Sequence, residues 1–93
     1  MPSYRSILTV MTLAPGCRPE EVEQAARAVT RLESWDIAIA AGQPRVTARF
    51  TAVDDSEARA THAAIVGGVR QVAEVPRARL AAVVRGRSHY LTT

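Results

Sequence analysis

The stretch Arg45-Val46-Thr47-Ala48-Arg49-Phe50-Thr51-Ala52-Val53 alternates apolar and polar residues with period two. Successive side chains of a strand point to opposite faces, so this pattern predicts a strand with one face in a core and the other wet or partnered. Phe50 marks the inner face, together with Val46, Ala48 and Ala52. Arg45, Thr47, Arg49 and Thr51 mark the outer face. Just upstream, Trp35-Asp36-Ile37-Ala38-Ile39-Ala40-Ala41 alternates in the same way, and Gly42-Gln43-Pro44 is of hairpin length. The two segments together predict a β-hairpin at the centre of the chain.

Outward from the hairpin, Arg5-Ser-Ile-Leu-Thr-Val-Met-Thr-Leu13 is rich in β-branched and apolar residues and predicts a first strand, ended by Ala14-Pro15-Gly16. Pro19 then opens a helix, with Glu20, Glu21 and Glu23 placed to complement its dipole. Val22, Ala25, Ala26, Val29 and Leu32 form its apolar stripe, which predicts a helix over roughly residues 19–33. On the other side, Asp54-Asp55-Ser56-Glu57 is a helix start, followed at helical spacing by Ala58, His62, Ile65, Val69 and Val72. This second helix is expected over roughly residues 55–73. Gly67-Gly68 is its weak point, costing about 2 kcal/mol relative to alanines. The glycines either allow a close approach to the sheet or end the helix early, leaving Val69 to Val75 as a further strand. After Val75-Pro76, Arg77-Ala-Arg-Leu-Ala-Ala-Val-Val-Arg85 is the last strand, with room to extend past Gly86 toward Tyr90.

The order β-α-β-β-α-β predicts an α+β fold of the ferredoxin-like, split β-α-β kind. The expected architecture is a four-stranded antiparallel sheet, with strands one and three central and both helices on one face. A length of 93 residues with 47% hydrophobic content is one domain's worth of chain, over residues 1–93, and excludes a disordered one. No apolar run approaches the roughly 20 residues of a membrane span. The start, Met1-Pro2-Ser3-Tyr4-Arg5, is not followed by a signal-peptide pattern, so a cytoplasmic protein is expected. Cys17 is the single cysteine, which excludes an internal disulfide and a cysteine-rich metal site.

Net charge is +3, and every one of the 12 basic residues is arginine. A genome whose codons favour Arg, Ala and Val accounts for that choice on compositional grounds. Their placement is more informative. One parity of the last strand holds Arg77, Arg79, Ala81, Val83, Arg85 and Arg87. With Arg45 and Arg49, six arginines are expected on the sheet face away from the helices, while the acids Glu20, Glu21, Glu23, Glu33, Asp55, Glu57 and Glu74 are expected in the helices.

Three uses of such a face compete. The first is a homo-oligomer contact, with Met11 and Val83 as an apolar centre and the arginines at its rim, since arginine is favoured in interfaces. The second is nucleic-acid binding through phosphates, with Tyr4, Trp35 or Tyr90 as the aromatics able to border the face. The third is simple solvation. The leading expectation is a small non-enzymatic binding, assembly or regulatory module that forms a homodimer or higher homo-oligomer through this face. A nucleic acid or another anionic partner is the first alternative, and a small cofactor-independent enzyme of dimeric α+β barrel type is the second.

Candidates for chemistry are few. Cys17, in Gly16-Cys17-Arg18 before the first helix, is a candidate reactive thiol, weighed against a small turn residue. His62 lies on an apolar helix stripe and reads more readily as a core histidine with one hydrogen bond than as a catalyst. His62, His89 and Cys17 lack metal-ligand spacing, so no metal and no cofactor are expected. Phosphate-loop, dinucleotide and nucleophile-elbow motifs are missing from the sequence.

Overall fold

A computed structural model describes residues 1–91. The elements run β1 (Ser3–Thr9), α1 (Glu20–Arg27), β2 (Ser34–Ala40), β3 (Gln43–Thr51), α2 (Asp55–Arg70), β4 (Arg77–Val84) and β5 (Arg87–Tyr90). The strands form one antiparallel sheet in the order β2-β3-β1-β4-β5. The fold is therefore α+β with two helices, and the expected four-stranded sheet is corrected to five strands. Strands β1 and β3 are interior as expected, but β4 is covered at its outer edge by β5.

The extra strand comes from the turn at Arg85-Gly86. Both residues have positive φ, 52° and 77°. Two consecutive positive φ values make the tight two-residue hairpin whose twist matches that of its strands. The chain thus folds back, and Arg87 pairs with Val84. Ala41-Gly42 makes the same turn between β2 and β3, with φ of 52° and 77°. The expected turn at residues 42–44 is therefore shifted, and Gln43 and Pro44 belong to β3. Val10 N–H donates to Pro44 O at 3.0 Å. Proline has no N–H to return that bond, so the β1–β3 ladder closes at Thr9↔Arg45.

Helix α1 is shorter than its apolar stripe suggests, ending at Arg27. The chain must leave the helix to enter β2, and Glu33 N–H already donates to Arg49 O at 2.7 Å. Helix α2 is capped by Asp54, whose carboxylate accepts from Glu57 N–H, while the Glu57 carboxylate accepts from Val53 N–H. These bonds satisfy one donor of the first turn and the N–H of the residue just before the cap. The helix runs unbroken through Gly67-Gly68, and residues 69–75 form no strand. The close approach at Gly68 is to the other helix, not the sheet: a Cβ there would sit 3.5 Å from Ala25 O and 3.8 Å from Val29. Beyond α2, residues 72–74 pair with residues 11–14 through Met11 N–H to Glu74 O, Glu74 N–H to Thr12 O and Ala14 N–H to Val72 O.

The core lies between the helices and one sheet face. Tyr4, Leu8, Val46, Ala48, Phe50 and Leu80 from the strands meet Val22 and Ala26 of α1 and Ala58, Ile65 and Val69 of α2. Tyr4 and Phe50, paired on adjacent strands, stack with ring centroids 6.0 Å apart. Among the described residues, no helix is long and apolar enough to cross a membrane.

Candidate functional site

The outer sheet face follows from strand parity and register. Arg45, Thr9 and Arg77 stand in one row across β3, β1 and β4. Thr47, Ile7 and Arg79 form the next row, and Arg49, Arg5 and Ala81 the one after, with Tyr90 beside Ala81 on β5. Five arginines therefore share this face: Arg5, Arg45, Arg49, Arg77 and Arg79. Asp36 on β2, paired with Thr47, is the one carboxylate on the outer parity of the strands.

This set differs from the expected six. Arg85 lies in the positive-φ turn, and Arg87, opposite Val84, takes the helix-side parity. Neither belongs to the outer face, because the β4–β5 turn ends the alternation of β4. Arg5 joins the face instead. The alternation of β1 signals it, since Tyr4, Ser6 and Leu8 are buried while Arg5 and Ile7 are half-buried. Val83 is on the outer face near Ser88, at the end of β4 remote from Arg77. Met11 lies beyond the other end of β1, exposed, in an apolar groove of about 280 Å³ with Pro19, Val22, Trp35 and Ile37. Met11 and Val83 are thus at opposite ends of the sheet and form no common apolar centre.

The charge separation between layers is also narrower than expected. Glu33 precedes β2 and its carboxylate lies 3.8 Å from Arg49 Nε. That is beyond hydrogen-bond reach, and this Nε is buried without a hydrogen-bond partner. Glu33 accepts instead from Ser3 Oγ at 2.9 Å. Glu74 follows α2, and the helices carry Arg27, Arg59 and Arg70 beside their acids.

Tyr90 is the aromatic that reaches the outer face. The Arg79 guanidinium lies 3.6 Å from the centroid of its ring, a cation–π contact. Arg5 Nη1 donates to Ser88 Oγ at 2.8 Å. Tyr4 and Trp35 take the inner parity. A depression of about 200 Å³ opens over Ile7 and Thr9, bordered by Arg45, Arg77, Arg79 and Tyr90.

The candidates for chemistry are placed apart. Cys17 is half-buried in the β1–α1 connection, its N–H bonded to Ala14 O at 3.0 Å. The neighbouring Arg18 N–H donates to the Glu21 carboxylate, which occupies the mouth of α1. His62 is buried on α2, and its Nδ1 is 2.6 Å from Oγ of the fully buried Ser6. Burial pushes the His62 pKa down. The ring also lines a cleft of about 600 Å³ between α2 and β4, with Val66, Arg70, Leu80 and Leu91. Arg70 itself donates to Val75 O at 3.1 Å. Tyr4, whose hydroxyl donates to Asp55 Oδ1 at 2.8 Å, has its pKa raised from 10.0 to about 12 by burial and then by that carboxylate. Among the described residues, no three His, Cys, Asp or Glu side chains are grouped to hold a metal ion. Compared with known proteins, the chain matches no family model, no curated protein and no solved structure.

Proposed function

We propose that this chain is a non-enzymatic binding module whose outer sheet face takes single-stranded nucleic acid, on a ferredoxin-like βαββαβ unit extended by β5. The observation that carries the reading is the row-by-row placement of Arg5, Arg45, Arg49, Arg77 and Arg79 on three adjacent strands, against two carboxylates, Asp36 on β2 and Glu33 beside Arg49. A face of net positive charge attracts a polyanion by releasing its counterions. The Arg79–Tyr90 pair adds a flat surface on which a base can stack, the second ingredient of sheet-type binders. The same charges oppose self-association through this face, because a twofold axis would set arginine against arginine.

Fluorescence polarisation with a labelled single-stranded oligonucleotide tests the reading. Binding should weaken steeply with salt, with a log–log slope of roughly −3 to −4 if all five arginines engage phosphates. Reversing the charge at Arg49 and Arg79 should abolish binding while circular dichroism stays unchanged. No binding at low salt would overturn the proposal.

Self-association is the second reading, and the edge strand β2 is the observation that favours it. Ile37 and Ile39 are 66% and 70% exposed on its helix-side parity. An apolar, unpaired edge is a template for another strand.

A further inference from the structure

Resting on the nucleic-acid reading, we infer that the depression over Thr9 is a clamp for a phosphate monoester, the phosphorylated end of a strand. Thr9 pairs with Arg45 on one side and with Arg77 on the other. Two strand spacings put the two arginine Cα atoms about 10 Å apart. Both guanidinium forks can then converge on one anion above the Thr9 hydroxyl, and each fork suits two phosphate oxygens.

Charge selects the ligand. No carboxylate lines the depression. Among the described residues, Arg45 and Arg77 have no acidic partner, whereas Arg49 has Glu33 and Arg27 has Glu23. A monoester carries close to two charges at neutral pH, against one for an internal phosphodiester, so it gains more from two unpaired guanidiniums. Size agrees with this. A volume of about 200 Å³ is below the roughly 300–1,000 Å³ of a pocket that engulfs a whole small molecule. The depression holds the phosphate and leaves the nucleoside against Arg79 and Tyr90 at its rim.

Two oligonucleotides of one sequence, with a 5′-phosphate or a 5′-hydroxyl and the label at the 3′ end, are compared by polarisation. The phosphorylated strand should bind about tenfold more tightly. Thr9→Val, Arg45→Gln and Arg77→Gln should each cut that ratio sharply, while Arg5→Gln weakens both strands alike. Inorganic phosphate should shift the amide resonances of Thr9, Arg45 and Arg77. Equal binding of the two strands, with no phosphate-induced shifts, overturns the clamp and leaves the nucleic-acid reading standing. Phosphate-induced shifts without binding of either strand support a phosphate site at Thr9 but overturn the strand end as its ligand, and the nucleic-acid reading with it.

Discussion

Ser6 and His62 are the polar pair inside an otherwise apolar layer. Ser6 alternates inward between Tyr4 and Leu8, and its hydroxyl meets His62 Nδ1 at 2.6 Å. A buried polar group left unpaired costs about 1–3 kcal/mol. Ser6→Ala should therefore destabilise the fold by about that much, read by denaturant unfolding. The pH dependence has a definite sign. Burial lowers the pKa of folded His62 below its ordinary 6.5. Below that value the unfolded chain binds a proton that the folded chain refuses, so this contribution is present above about pH 6.5 and is lost as pH falls through the folded value. His62→Gln should flatten the acid side of the stability profile below about pH 6.5. An unchanged profile would remove His62 as its cause. The histidine was legible as a core residue because it falls on the helix stripe with Ala58, Ile65 and Val69. Its partner was not, because hydrogen bonding to Ser6 joins residues far apart in the chain.

At the scale of elements, the two hairpins turn on the pairs Ala41-Gly42 and Arg85-Gly86. Each places a non-glycine residue at φ of 52°, a conformation that costs an ordinary L-residue roughly 1–2 kcal/mol. Asparagine tolerates it better, and Asn-Gly is a preferred pair for this turn. Arg85→Asn should stabilise the chain by about 0.5–1 kcal/mol, raising its melting temperature by several degrees in a thermal scan. A lower melting temperature would contradict the turn assignment. Ala-Gly and Arg-Gly are weak turn signals, which explains why the first turn was expected one residue late and the start of β3 two residues late. It also explains why β5 was visible only as room for extension. The elements with strong local signals came out as expected: the alternation of β3 put Phe50 inside, and the Asp54 cap started α2. Helix α1 ended early because the Glu33 to Arg49 backbone bond begins the path into β2, a demand that its apolar stripe does not record.

For the whole molecule, the charged outer face and the apolar β2 edge point to different partners. Pairing β2 antiparallel with its copy about Ile37 would set Ile37 against Ile37 and Ile39 against Trp35, on the parity that carries the exposed isoleucines. Light scattering at rising concentration should then show a mass approaching twice 10.0 kDa. Ile37→Asp should hold the chain at the monomer mass without weakening oligonucleotide binding. A monomer at all concentrations would remove the edge contact, and the outer-face reading would be untouched.

The faces of the strands were determined by the sequence itself, because period two is a local property of an extended chain. Phe50, Arg45 and Arg49 needed no tertiary information to be placed on opposite sides of one strand. Which arginines stand together was decided only by the tertiary structure. Register across β3, β1 and β4 set Thr9 between Arg45 and Arg77, brought in Arg5, and left Arg85 and Arg87 off the face. Register and turn geometry depend on contacts between distant segments, and a single-residue slip moves every side chain to the other side.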